Sequence, residues 1–128
     1  MDQEKAMSLL RHFGKAFNKG DVEGILEYVT EDFQWRLAEG PDAPDGKVVC
    51  GKDAVRAALQ ERVLGTKEIK FSETSIHFTD EKVFGCFRAT GELNDGTVVD
   101  QRGIDIYTLR DGKIAVKDSY WKRIDRNL

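Results

Sequence analysis

Apolar residues recur at steps of three and four in the first half of the chain and at steps of two in the second. Over 2–18, Ala6, Leu9, Leu10, Phe13 and Phe17 fall on one stripe of a helix, whose opposite face is charged. Asn18-Lys19-Gly20-Asp21 breaks that pattern, and Asp21 is placed to cap a second, short helix carrying Val22, Ile25, Leu26 and Val29. Residues 33–37 alternate as a short strand. The following GPDAPDG holds both prolines and predicts a loop, and Cys50 is likewise expected in a loop. Gly51-Lys52-Asp53 opens a third helix with Ala54, Val55, Ala58, Leu59 and Val63 on its apolar side, ending near Gly65.

Beyond that glycine the pattern is strand. Runs at 68–79, 82–93, 97–110 and 113–124 are separated by Asp80-Glu81, Asn94-Asp95-Gly96 and Asp111-Gly112, each a good turn sequence. Three helices in the N-terminal half followed by an antiparallel meander predict an α+β domain. Its helices pack on one face of a curved sheet, with a pocket where helices and sheet diverge.

At 128 residues, 40% hydrophobic and 34% charged, the chain predicts one domain over 1–128 that needs no disulfide or metal to fold. Its apolar runs are too short to span a bilayer. The N-terminus has acidic residues where a secretory signal has basic ones, so the expected location is cytoplasmic. A net charge of -3 argues against a nucleic-acid partner, and the basic C-terminal residues Lys117, Lys122, Arg123 and Arg126 are interleaved with Asp118 and Asp125. Cys50 and Cys86 predict two reduced thiols. With only His12 and His77 as imidazoles, neither cysteine nucleophile chemistry nor a metal site is predicted, and no cofactor is expected.

The chemistry concentrates in 101–121, QRGIDIYTLRDGKIAVKDSYW, a hairpin pattern with one carboxylate, Asp105, among apolar residues. Alternation places Gln101, Gly103 and Tyr107 on the Asp105 face and Arg102, Ile104 and Ile106 on the other. If Asp105 faces inward, Ile104 and Ile106 cover the convex side of the sheet, which predicts a homodimer through that face. A buried carboxylate must be protonated, hydrogen-bonded or matched by a cation. Lys117 and Arg88 are the candidate cations, and a purely structural contact with Tyr107, Gln101 or Lys117 is the alternative to chemistry.

Three segments carry a family resemblance: FNKGDVEGILEYVTEDFQW at the helix corner, GKDAVRAAL opening the third helix, and GIDIYTLRDGKI followed by SYW. In this order and spacing the chain resembles the nuclear transport factor 2-like superfamily, in its SnoaL-like and ketosteroid-isomerase-like branches. The resemblance implies a cone-shaped, cystatin-like curved sheet closed by helices, often dimeric, on a fold that hosts enzymes, binders and assembly modules. GIDIYTL is similar to the strand on which ketosteroid isomerases hold a carboxylic acid protonated, which implies that role for Asp105. Phe13 and Leu37 stand where those enzymes have a tyrosine and an aspartate, so steroid isomerisation in its known form is not expected. SnoaL-like cyclases and limonene epoxide hydrolases have an aspartate on the last strand where this chain has Ser119. Asp118, one residue away, points to the other face unless a bulge intervenes. The hydrolases' Arg-x-Asp is replaced by Arg88-Ala89-Thr90.

The resemblance further implies that Phe87, Ala89, Lys117, Ser119 and Trp121 face the cavity, with Phe13, Phe17 and Trp35 closing it. The expected catalytic group is therefore Asp105, Ser119 and Tyr107. The expected ligand contacts are Phe13, Phe17, Trp35, Phe87, Ala89, Gln101, Gly103, Lys117 and Trp121. An aromatic cavity with few polar groups suits a lipophilic, carbonyl-bearing small molecule. Such a molecule is either turned over by an isomerase, cyclase or hydratase using Asp105 as acid/base, or merely bound. A dimerisation module is the third reading.

Overall fold

The computed structural model describes residues 2–128. Its first helix runs Gln3–Lys19 (α1) and buries Ala6, Leu10, Phe13 and Ala16. The Asp2 carboxylate accepts from the N–H groups of Glu4 at 3.0 Å and Lys5 at 3.3 Å, satisfying two donors that the first turn leaves open. Gly20 ends the helix at φ 65°, a left-handed conformation that closes its last turn onto Ala16 and Phe17. Asp21 caps Val22–Leu26 (α2) through the N–H of Gly24 at 3.0 Å.

The second helix is shorter than its apolar pattern predicts. Val29 already belongs to the strand Val29–Leu37 (β1), where it is fully buried and paired with Ile114. A further strand, Lys47–Cys50 (β2), folds back on β1 with Trp35 opposite Val49. Cys50 therefore lies on a strand rather than in the preceding loop, because the proline-rich turn returns the chain directly alongside β1.

Lys52–Leu64 (α3) follows, buried at Val55 and Leu59. Ala54 and Val63, expected on its apolar side, are exposed. The stripe that meets the sheet is Val55, Leu59 and Arg62, at steps of four and three.

The long strands are Thr66–Phe78 (β3), Val83–Leu93 (β4), Val98–Arg110 (β5) and Lys113–Trp121 (β6). The sheet order is β2-β1-β6-β5-β4-β3, antiparallel throughout except between β1 and β6. That parallel pair closes the sheet against the strand that follows the helical corner. The α+β architecture is that of a curved six-stranded sheet with three helices. Phe13, Ile25, Phe33, Val55, Leu59 and Ile114 fill the space between the helices and the sheet and are essentially inaccessible. Among the described residues no helix is long and apolar enough to cross a membrane.

Candidate active site

β5 lies between β6 and β4, so its inward side chains are flanked on both sides. Asp105 is opposite Ser119 of β6 and Gly85 of β4, and Tyr107 is opposite Lys117 and Val83. Strand alternation thus delivers Asp105, Tyr107, Lys117 and Ser119 to one inward-facing patch. All four are buried, with Asp105 and Lys117 each 6% exposed.

Asp105 Oδ1 accepts from Ser119 Oγ at 2.6 Å and pairs with Lys117 Nζ at 3.1 Å. Its Oδ2 accepts one long bond, from the Tyr107 hydroxyl at 3.3 Å. Lys117 Nζ also donates to Ser119 Oγ at 3.2 Å, which fixes the serine proton towards the carboxylate. Two hydroxyls and an ammonium therefore surround the Asp105 carboxyl.

Burial, reinforced by the Asp105 charge, pushes the Tyr107 phenol well above its ordinary value. Burial also pushes the Lys117 ammonium down, against the opposing pull of Asp105. The site therefore sets one carboxyl beside a phenol, an amine and a hydroxyl, all three donating to it.

A cavity of about 270 Å³ opens over this patch, lined by Asp105, Tyr107 and Lys117 from the sheet and by Phe13 and Phe17 from α1. Phe87 and Phe71 complete its aromatic wall. The rings are packed edge to face: Phe17 and Phe71 have centroids 6.4 Å apart, and Phe71 and Phe87 5.4 Å. Lys117 Nζ lies 5.0 Å from the Phe17 centroid, so the ammonium faces the ring on one side and the carboxylate on the other.

The sequence profile of the SnoaL-like domain matches residues 10–117, most of the chain. The chain belongs to the SnoaL-like family. Its fold is that of the nuclear transport factor 2-like superfamily, with solved structures similar to it over nearly their whole length. A proposed isomerase from Bacillus subtilis superposes with a TM-score of 0.81 at 22% identity, covering 95% of this chain and 89% of that one. A proposed polyketide cyclase from Xanthomonas campestris gives 0.79 at 20% identity, covering 95% and 93%. A Mycobacterium tuberculosis protein solved in complex with estradiol-17β-hemisuccinate gives 0.74 at 21% identity, covering 92% and 94%. At these identities the likeness is one of fold. No curated protein matches the sequence significantly.

Within this SnoaL-like domain, Phe13, Phe17, Phe87, Asp105, Tyr107 and Lys117 line the cavity as the sequence predicts. Ser119 does not line it but braces Asp105 from behind. Trp35 and Ala89 are buried beside the cavity without lining it, and Gln101 lies farther along β5. Gly103 is covered by the Phe87–Trp121 pair, centroids 6.2 Å apart, so neither Gly103 nor Trp121 lines the cavity. A Cβ on Gly103 would come within 2.5 Å of Phe87 Cζ and 2.6 Å of Trp121 Cδ1, which is why glycine stands there.

Arg88 is not the partner of Asp105. It faces the convex side, where it binds Asp100 at 2.9 Å and Glu73 at 3.4 Å. Asp118 also points away, paired across the sheet with Ile106 and 3.9 Å from Arg36, because the β5–β6 register shift between Thr108 and Leu109 sets Ser119 rather than Asp118 opposite Asp105. His77 is exposed and bonded to Ser75. Two contributors had escaped the sequence reading. Phe71 sits on the inward phase of the alternating stretch Glu68-Ile69-Lys70-Phe71 and lines the cavity, and the half-buried Arg62 continues the Val55–Leu59 stripe of α3 into a neighbouring cavity.

Proposed function

We propose that this SnoaL-like domain, taken as a single unit over residues 1–128, is a cytoplasmic, cofactor-independent enzyme of the isomerase, cyclase or hydratase kind. Its substrate is a lipophilic, carbonyl-bearing small molecule, polyketide- or steroid-like in size and character. The reading rests on the unequal use of the two Asp105 oxygens. Oδ1 is engaged by Ser119 and Lys117, whereas Oδ2 keeps only the 3.3 Å bond from Tyr107 on the edge of an aromatic cavity. Oδ2 is therefore the oxygen with capacity to accept a substrate proton.

In this mechanism Asp105 removes a proton from the carbon next to the carbonyl, and the electron pair of that C–H bond moves onto the carbonyl oxygen. Lys117 and Tyr107 supply the hydrogen-bond donors facing the resulting enolate. The protonated Asp105 then returns the proton to another carbon, or the enolate carbon attacks a second carbonyl and the proton goes to the new alkoxide. Ser119 holds the carboxylate in position throughout. The fold neighbours described as an isomerase and a polyketide cyclase, and the one holding a steroid ester, lend support to a substrate of this class.

The test is exchange of the carbonyl-adjacent protons of β-tetralone in deuterium oxide, followed by proton NMR. The native protein is expected to accelerate loss of the signal, and Asp105→Asn to remove the acceleration while the circular dichroism spectrum is unchanged. Equal acceleration by the variant would take Asp105 out of the mechanism.

A second reading, binding without turnover, is favoured by the fact that Asp105 already accepts from three donors. It predicts saturable retention of β-tetralone with no acceleration of exchange by either protein. In both readings we propose a homodimer through the convex face, where Ile104 and Tyr120 are cross-strand partners and are 42% and 59% exposed. A cavity that binds nothing, in a protein that still dimerises through that face, would leave the dimerisation module.

A further inference from the structure

Arg62, which the proton-transfer reading does not use, lines a neighbouring cavity that shares Phe17 and Asn18 with the Asp105 cavity. It stands on the last turn of α3, and its guanidinium carbon is 5.5 Å from the ring centroids of both Phe17 and Phe71. Arg36, Arg56, Arg88, Arg102 and Arg110 each hold a carboxylate or side-chain amide oxygen. Among the described residues no oxygen accepts from the Arg62 guanidinium. Asp105 attracts it from beyond hydrogen-bond distance, and burial lowers its affinity for its proton. A half-buried guanidinium with five donors and no acceptor is an incomplete interaction.

The surroundings say what would complete it. Around Phe17 two cations, Arg62 and Lys117, face a single carboxylate, Asp105, so one positive charge is unmatched. A second cavity of about 270 Å³ lies on the other side of Phe17 and Asn18, and three cations line it, Lys19, Arg62 and Lys67, against one carboxylate, Glu68. Of these, Lys67 is 3.9 Å from Glu92 and so is partly answered. Asn18 clamps the backbone of Phe71, accepting from its N–H at 2.8 Å and donating to its carbonyl at 3.4 Å. That clamp sets Phe17 and Phe71 as a fixed floor under the guanidinium, at the seam of the two cavities. The negative end of the α3 dipole lies at this end of the helix, which disfavours a dianion more than a monoanion and leaves the monoanion as the better match.

We propose that Arg62 anchors the carboxylate of a lipophilic carboxylic acid whose apolar body lies along Phe17 and Phe71 towards Asp105. This names the substrate class of the site and rests on the reading of the Asp105 cavity as a ligand site. The planar guanidinium takes a carboxylate through two parallel N–H bonds, a geometry that lysine does not reproduce.

The test is calorimetric titration of the full chain with naphthylbutanoic acid and with the matched neutral naphthylbutanamide. The native protein is expected to bind the acid about ten- to hundredfold more tightly than the amide. Arg62→Met, which keeps a long apolar stem on the two rings, should abolish that preference while its affinity for the amide is unchanged, which also shows that its cavity is formed. Should Arg62→Met not fold, Arg62→Lys provides the same comparison and should lose most of the preference. Amide and acid binding equally to the native protein would overturn the Arg62 proposal and leave the cavity reading standing. A preference that survives in Arg62→Met and disappears in Lys117→Met would overturn it too, by placing the carboxylate at Lys117. Binding of neither compound would overturn both readings.

Discussion

Lys117→Met removes the ammonium beside Asp105 and keeps most of the side-chain length, so it isolates a buried carboxylate. Asp105 and Lys117 approach to 3.1 Å with both side chains 8% exposed. At that separation and an effective dielectric of about 20, the direct attraction is about 5 kcal/mol. Desolvation of both ions offsets much of this, yet stripping one partner from a buried pair typically costs about 3–5 kcal/mol because the other charge is left uncompensated. Ser119 and Tyr107 still donate to Asp105 in the variant, which puts the expected loss at the lower end, about 3 kcal/mol. Asp105→Asn should lose a similar amount, since it leaves a buried ammonium facing an amide. The double variant leaves neither charge, so it should be more stable than the sum of the two losses implies by about 2 kcal/mol or more. Urea denaturation of the four proteins measures this directly, provided the slope with denaturant is the same in each. Losses that add to within about 0.5 kcal/mol would refute the pairing.

Gly103→Ala places a methyl group against Phe87 and Trp121, and overpacking of this kind should lower stability by about 1–3 kcal/mol in the same denaturation experiment. Tyr107 gives a pH dependence of definite sign. Its folded phenol titrates well above the ordinary 10.0, so folded and unfolded chains hold the same proton below that pH. Above it the unfolded chain loses the proton first. Stability is therefore fully present below pH about 10 and falls at about 1.4 kcal/mol per pH unit as pH rises towards the folded value. Tyr107→Phe should lessen that alkaline decline, and an identical decline would contradict the assignment. Ile104→Glu places a charge in the proposed dimer face and should convert a dimer to a monomer in sedimentation velocity. A native protein that sediments as a monomer would remove the dimer from the account.

Much of this arrangement is legible in the sequence because it follows from period and parity. The α1 stripe, the Asp21 cap and the Asp111-Gly112 turn each state their geometry locally. Counting in twos from Asp105 places Tyr107 inward, but a plain count through the Asp111-Gly112 turn sets Asp118 opposite Asp105; the β5–β6 register shift between Thr108 and Leu109 brings Lys117 and Ser119 inward instead and turns Asp118 outward. The same count excludes Arg88, flanked by the inward residues Phe87 and Ala89. What is not legible locally is set by distant parts of the chain. Val29 reads as the end of a helix until Ile114 is available to pair with it, and the four residues of β2 are too few to show a period. Arg62 has the spacing of an inward position, seven residues from Val55 and three from Leu59. Its charge disguises that spacing until Phe17 and Phe71 are seen beneath it.

The most direct test of the central claim, that Asp105 is the base of a small-molecule cavity, is a crystal structure of the protein with β-tetralone. The ketone is expected in the aromatic cavity, with its carbonyl-adjacent carbon about 3–3.5 Å from Asp105 Oδ2 and its oxygen facing Lys117 or Tyr107. A ketone bound elsewhere, or bound in the cavity with that carbon out of reach of Oδ2, would contradict the account.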